Sequence, residues 1–233
     1  MTITLKQICQ EALEGIGSIE VPTTIFNNTD DTAIVLKRAA IQTGRELVRE
    51  YSWQALLTPT TVTTVASTTQ YGLPSDFQRF SHLTFWNESE DQQLIGPFGP
   101  TGWAELKRGI IADQFRYSFR VAGNYLEISP TPEAGQTIGY DYYSKQYCTD
   151  SAGTAQDNWL ADTDLARLPE DIFVLGVRYR FLQRKFLPFE EDKADYIKAI
   201  NHAIFDDTPK ANSNLSGIPK YQASNLPDGN FGT

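Results

Sequence analysis

The chain has 233 residues, 40% of them hydrophobic and 21% charged, which is the composition of a folded globular protein and not of a disordered one. Its 20 Lys and Arg against 29 Asp and Glu give a net charge of −9, which argues against broad binding to phosphate backbones. A chain of this length buries roughly three-quarters of its unfolded surface and needs no metal or disulfide to hold it.

The start, Met1 to Lys6, lacks the basic region and apolar run of a signal peptide, and no apolar stretch approaches the ~20 residues that span a bilayer. The chain therefore reads as cytosolic at synthesis. Cys9 and Cys148 are far apart in sequence and read as buried free thiols.

Residues 3–52 read as helical. Thr4 is a plausible N-cap, and Leu5, Ile8, Cys9, Ala12, Leu13 and Ile16 recur at helical spacing until Gly15 and Gly17 end the run. After Pro22, Asp30 or Asp31 is placed to cap a second helix. Its expected apolar face holds Ile34, Ala40, Ile41, Gly44, Leu47, Val48 and Tyr51. Glu46 and Glu50, flanked by Arg45 and Arg49, read as a solvated, salt-bridged surface.

Residues 53–149 change period. The β-branched run Thr60-Thr61-Val62-Thr63-Thr64-Val65 suits a half-buried strand, and residues 80–86 make a second candidate. Residues 116–121 and 125–128 flank Ala122-Gly123-Asn124, a hairpin signal. Residues 137–143 resume strand-like alternation after Ser129-Pro130-Thr131-Pro132. A short helix is expected over residues 100–108. Residues 150–208 return to helix. Pro169-Glu170-Asp171 is a good start, with carboxylates at the positive end of the dipole. The helix runs over residues 172–186 until Pro188 ends it, and a last helix covers 190–205 with Ala194, Ile197, Ala199, Ile200 and Ile204 apolar. Residues 209–233 are dense in Asn, Ser, Pro and Gly. They predict disorder in isolation and a neighbouring subunit or partner as what would hold them.

Catalytic patterns are poor. His82 and His202 have no Cys or His neighbour at metal-ligand spacing and no Gly-x-Ser-x-Gly turn nearby, so both read as structural. Residues 96–102 are glycine-rich but lack the Lys-Ser/Thr ending of a phosphate cradle, and read as a tight loop. The pairs Asp162 and Asp164, and Asp206 and Asp207, read as capping or solvated charge in preference to acid–base or cation sites. Trp53, Trp86, Trp103 and Trp159 read as core or interface packing in preference to a stacking platform. No catalytic, cofactor-binding or metal-binding residue is assigned. The architecture expected is α+β. A helical bundle is built from residues 1–52 and 150–208, an antiparallel β-domain is inserted over 53–149, and an extended tail follows over 209–233.

The order of motifs resembles the head-to-tail adaptor proteins of tailed double-stranded DNA phages, the group that includes the tail tubular protein A of short-tailed phages. The resemblance lies in Glu11-Ala12-Leu13-Glu14-Gly15-Ile16-Gly17, then the run from Gly44-Arg45-Glu46-Leu47 to Trp53-Gln54-Ala55-Leu56, then Tyr71-Gly72-Leu73-Pro74-Ser75-Asp76-Phe77. It continues through Trp86-Asn87, Leu94-Ile95-Gly96-Pro97, Trp103, Leu126-Glu127-Ile128-Ser129-Pro130-Thr131-Pro132, Tyr140 to Ser144, and Leu175-Gly176-Val177-Arg178-Tyr179-Arg180-Phe181 with Asp192 and Tyr196. It covers about residues 5 to 205 and leaves the tail outside. It implies a non-enzymatic virion protein of the phage neck, assembled in the host cytoplasm. Such a protein would be one segment of a ring of about twelve copies. The ring would dock under the portal protein, carry the tail nozzle or tail tube, and pass double-stranded DNA without reading its sequence, with no membrane partner. The alternatives are a stopper or tail-completion protein of the same connector, or a carbohydrate-binding or hydrolytic tail component.

Overall fold

A computed structural model describes residues 3–17, 19–81, 83–108 and 116–207. His82 and the 209–233 tail, both read above from sequence, lie outside the described residues. The chain is α+β, as its pattern predicts. Helices α1 (Leu5–Leu13) and α2 (Asp31–Glu50) precede a 3-10 turn (Gln54–Leu56). Strands β1 (Leu57–Thr63), β2 (Gln70–Gly72), β3 (Phe77–Phe80), β4 (Trp86–Asn87) and β5 (Gln92–Gln93) lead to helix α3 (Pro100–Arg108). Then come β6 (Ser118–Ala122), β7 (Tyr125–Ser129), β8 (Thr137–Ser144), β9 (Cys148–Thr149), β10 (Ala155–Gln156) and β11 (Leu165–Ala166). Helices α4 (Glu170–Arg184) and α5 (Glu190–Asp207) finish the fold.

The caps work as their residue types dictate. Thr4 and Gln7 form a reciprocal capping box on α1, and the Asp30 carboxylate accepts the Thr32 N–H on α2. The buried face of α2 is rotated from the one expected. It holds Leu36, Ala39, Thr43 and Gly44 beside Ala40, Leu47 and Val48, while Ile34, Ile41 and Tyr51 are only half-buried. Small residues at 39, 40, 43 and 44 let α4 and the Tyr147 ring approach closely, and this decides the face over raw hydrophobicity. Pro169 is the N-cap of α4 and not its first helical residue. The helix stops at Arg184, before Pro188, because Phe186 turns the chain with φ 57°.

Long strand β8 organises the β-region. β1 pairs along one of its edges from Thr63↔Thr137 to Leu57↔Tyr143. β3 and β4 share the other edge, at Tyr142–Ser144 and Ile138–Gly139 respectively. The expected 80–86 strand is therefore two short ones, divided by a loop in which Leu83 has φ 62°. The 60–65 strand begins earlier than its β-branched run, at Leu57. Pro59 is accommodated because β1 is an edge strand. β6 and β7 form the expected hairpin, with Gly123 at φ 60° in its two-residue loop, and β2 pairs on the far side of β7. A third small sheet, β10-β9-β11, was not legible in the sequence, since its strands are two residues each.

Two hydrophobic clusters result. One joins α1, α2, α4 and α5 to Trp53, Leu56, Tyr147 and Trp159. The other is aromatic and lies in the β-region, where Phe85 stacks on Phe119 at 3.9 Å and on Tyr140 at 4.7 Å, with Phe80 edge-on to each of the three. No helix among the described residues is long and apolar enough to cross a membrane.

Candidate functional site

The residues weighed for chemistry are distributed over the fold and tied into it. The Asp162 carboxylate accepts the backbone N–H groups of Ile25 (3.0 Å) and Phe26 (3.0 Å), and the Asp164 carboxylate accepts those of Leu160 (2.6 Å) and Ala161 (2.9 Å). The carbonyls of the same two aspartates accept the Lys6 and Leu5 N–H groups, so this loop satisfies the open first turn of α1. Asp207 accepts the Gln54 N–H at 2.8 Å, while its neighbour Asp206 is exposed. His202 is exposed on α5. Among the described residues no three of His, Cys, Asp and Glu converge to hold a metal ion.

Cys9 and Cys148 are both buried and free. Burial pushes the Cys9 thiol up, and it pushes the Cys148 thiol up to about 12. Neither forms a thiolate readily at neutral pH. Trp53, Trp103 and Trp159 are buried, and Trp86 is half-buried on β4. Trp103 anchors α3 and is covered by the cations of Arg120 (5.0 Å) and Lys107 (5.4 Å). Three of the four tryptophans are thus occupied in packing, and Trp86 lies half-buried in an open cleft with Glu88, Asp91 and Asp141. Residues 96–99 lie in the loop between β5 and α3, while Pro100, Thr101 and Gly102, expected in that loop, open the helix itself. A Cβ on Gly96 would come within 2.5 Å of the Phe119 carbonyl, so close backbone approach explains that glycine.

What the structure brings together is a junction of α2, α4 and α5 around Arg180, whose guanidinium is buried. It donates to Thr43 Oγ (2.9 Å), to the Gly176 carbonyl (3.0 Å) and to Glu46, and it lies beside the adjoining rings of Tyr179 (4.5 Å) and Tyr196 (5.4 Å), which are 5.0 Å apart. The Tyr196 hydroxyl reaches Glu46 at 3.4 Å, and burial raises its pKa. A Cβ on Gly176 would meet Thr43 at 2.5 Å, and one on Gly44 would meet the Tyr147 ring at 2.3 Å. The helices therefore cross at small-residue contacts with one buried cation between them. Glu46 is thus a partner of a buried charge and not the solvated surface residue expected. The available signal was spacing: Arg180 lies three residues after Val177 and seven after Phe173, on the buried face of α4.

Further ties reach across the chain. Arg178 binds Asp192 on α5 (2.6 Å) and the Glu14 carbonyl (2.8 Å). Arg79 on β3 donates to the Val48 carbonyl (2.9 Å) and to that of Arg49, closing the C-terminal turn of α2. Outside this network the helices show two uncovered surfaces. α5 packs Tyr196, Ile200, Ala199 and Ile204 inward, three of them from the expected apolar set, while Ala194 and Ile197 of that set and Phe205 are exposed. Arg38, Arg45 and Arg49 stand exposed on α2, with Arg184 beside them.

No curated protein matches the chain. A family model described as SU10 adaptor protein matches residues 3–214, which takes in both hydrophobic clusters and the Arg180 junction. This supports the resemblance to phage head-to-tail adaptors, without reaching the tail tubular protein A-like subtype. The chain belongs to the SU10 adaptor protein family, a family of structural phage proteins.

Proposed function

We propose that the chain is one subunit of a ring of about twelve copies at the neck of a tailed phage, joining portal protein to tail nozzle or tail tube. The family match over residues 3–214 is the observation that carries this reading. The uncovered helical surfaces support it, because a subunit of a permanent ring needs interfaces of order 2,000 Å² or more. In this reading residues 1–52 and 150–208 form the ring body, and residues 53–149 project towards tail components. Residues 209–233 reach across a neighbouring subunit or the portal. The work is assembly and conduction of double-stranded DNA, without catalysis.

Residues 150–208 hold twelve carboxylates against seven cations. Some of these carboxylates, the exposed Asp171 on the first turn of α4 among them, would give the channel an acidic wall along which DNA slides without sticking. Imaging of virions by electron cryomicroscopy tests the reading. It predicts a ring of this chain between portal and tail, with a negatively charged lumen. A single copy at the neck, or a location on tail fibres, would replace it with a stopper or a receptor-binding role. A neutral or basic lumen would remove the conduction claim alone.

A further inference from the structure

α5 buries Tyr196 and Ile200 and packs Ala199, Ala203 and Ile204 beside them on the helical core, so its inner face is one continuous apolar stripe. Its opposite face carries two large apolar side chains that the chain itself does not cover, Ile197 and Phe205. Glu190, Ala194, Ile197, Asn201 and Phe205 follow one another by four, three, four and four residues and form a single outer stripe. Ile197 is 49% exposed and Phe205 72%. Glu190 and Glu191 at the start of the helix are exposed and make no ion pair among the described residues.

α2 carries the complement. Arg38, Ile41, Gln42, Arg45 and Arg49 also share one face, at spacings of three, one, three and four. Arg38, Arg45 and Arg49 are exposed without a carboxylate partner among the described residues. Arg45 donates to Asn158 (2.8 Å), and Arg184 joins the same groove through Gln42 (3.3 Å). Glu46 in this groove is already held by Arg180, which leaves Glu50 as its free carboxylate. Four exposed arginines in one groove stand out on a chain of net charge −9.

We infer that the outer stripe of α5 packs into the arginine groove on α2 of the next copy, which makes this helix pair a repeating contact of the ring. The inference rests on the ring reading above. Ile197 and Phe205 cover Ile41 and the apolar stems of the arginines, while Glu190 and Glu191 reach the guanidinium heads. Within one copy the stripe cannot fill the groove. α4 lies between α2 and α5, and α5 turns Tyr196 and Ile200 inward, away from its outer stripe. The two surfaces differ, so the contact is head-to-tail, the kind that closes into a ring by rotation.

Cysteine cross-linking tests the contact with little background, because both native cysteines are buried. Ile41→Cys and Ile197→Cys in one chain, treated with a short bismaleimide in assembled neck particles, is expected to give a covalent ladder up to the full ring. A mixture of the two single variants should stop at dimers, and each single variant alone should give none. Arg38→Glu with Arg49→Glu should cut the ladder at least tenfold, as should Glu190→Arg with Glu191→Arg, and all four changes in one chain should restore it. Helix content by circular dichroism separates misfolding from lost contact. A ring seen in the particles without a ladder would overturn the surface and leave the ring standing. Dimers from Ile197→Cys alone would also overturn it, since they indicate a two-fold contact. Loss of the ladder on truncation after Asp207 would give the stripe to the C-terminal segment. Necks holding one copy would remove the ring reading, and this contact with it.

Discussion

β8 and α5 are the longest strand and one of the two longest helices, and they are finished in opposite ways. Five of the eight residues of β8 are buried, and strands of the same chain cover both of its edges. α5 packs one face, Tyr196, Ala199, Ile200, Ala203 and Ile204, and leaves its outer stripe bare. The aromatic cluster beneath β8 closes on itself, with four interlocked rings from Phe80, Phe85, Phe119 and Tyr140. The helical layer keeps a buried cation at its centre and arginines on its rim. A region that completes its own core is suited to project as a rigid body. A region that leaves a helix half-packed is suited to be completed by assembly.

The comparison can be broken most sharply at the two centres. Arg180→Ala should lower stability by about 2–5 kcal/mol, since it leaves a cavity beside Tyr179 and Tyr196 and removes the donor to Thr43 and the Gly176 carbonyl. Phe85→Ala should cost a similar ~3–5 kcal/mol through the cavity it leaves in the aromatic stack. If the two clusters unfold as separate units, urea denaturation followed by far-ultraviolet circular dichroism and by tyrosine fluorescence will show each variant moving a different transition. A single transition moved equally by both would merge the two regions into one cooperative body. Gly44→Ala should cost about 1–3 kcal/mol by driving a methyl into the Tyr147 ring, and should affect the helical transition only. Thr4→Ala should cost about 1 kcal/mol through loss of the α1 capping box, measurable as a shift in midpoint without a change in slope.

The smallest expected effect concerns pH. Burial pushes the Tyr140 hydroxyl up to about 12 from its ordinary value of 10.0. Its folded-state value is the higher one. Its contribution to stability is therefore intact below pH 10 and is lost as pH rises from 10 through about 12. That hydroxyl has no hydrogen-bond partner among the described residues. Tyr140→Phe should leave neutral-pH stability unchanged or slightly raised, and should flatten the alkaline loss seen in a pH series of denaturation midpoints.

Much of this fold is legible from spacing and caps. Thr4, Asp30, the Gly123 hairpin and the 100–108 helix all have local signatures, and each element stands where its signature lies. What was not legible is tertiary. Ile41 looks like core, but Leu36, Ala39 and Thr43 take the inner face because α4 needs small residues there. Arg180 and Glu46 look like surface charge, and only the meeting of α2 with α4 shows them as partners. Ala194 and Ile197 look like a buried face, and the chain by itself does not bury them. Asp162 and Asp164 announce capping in general terms. Their reach to Ile25 and to the first turn of α1 depends on a loop more than a hundred residues away.

Amide hydrogen exchange, compared between the free chain and assembled neck particles, tests most directly whether assembly completes the helical layer. The account predicts fast exchange across α5 in the free chain and strong protection of it on assembly, with β7 and β8 equally slow in both states. α5 exchanging as slowly in the free chain as in the particle, or β8 gaining protection only on assembly, would contradict it.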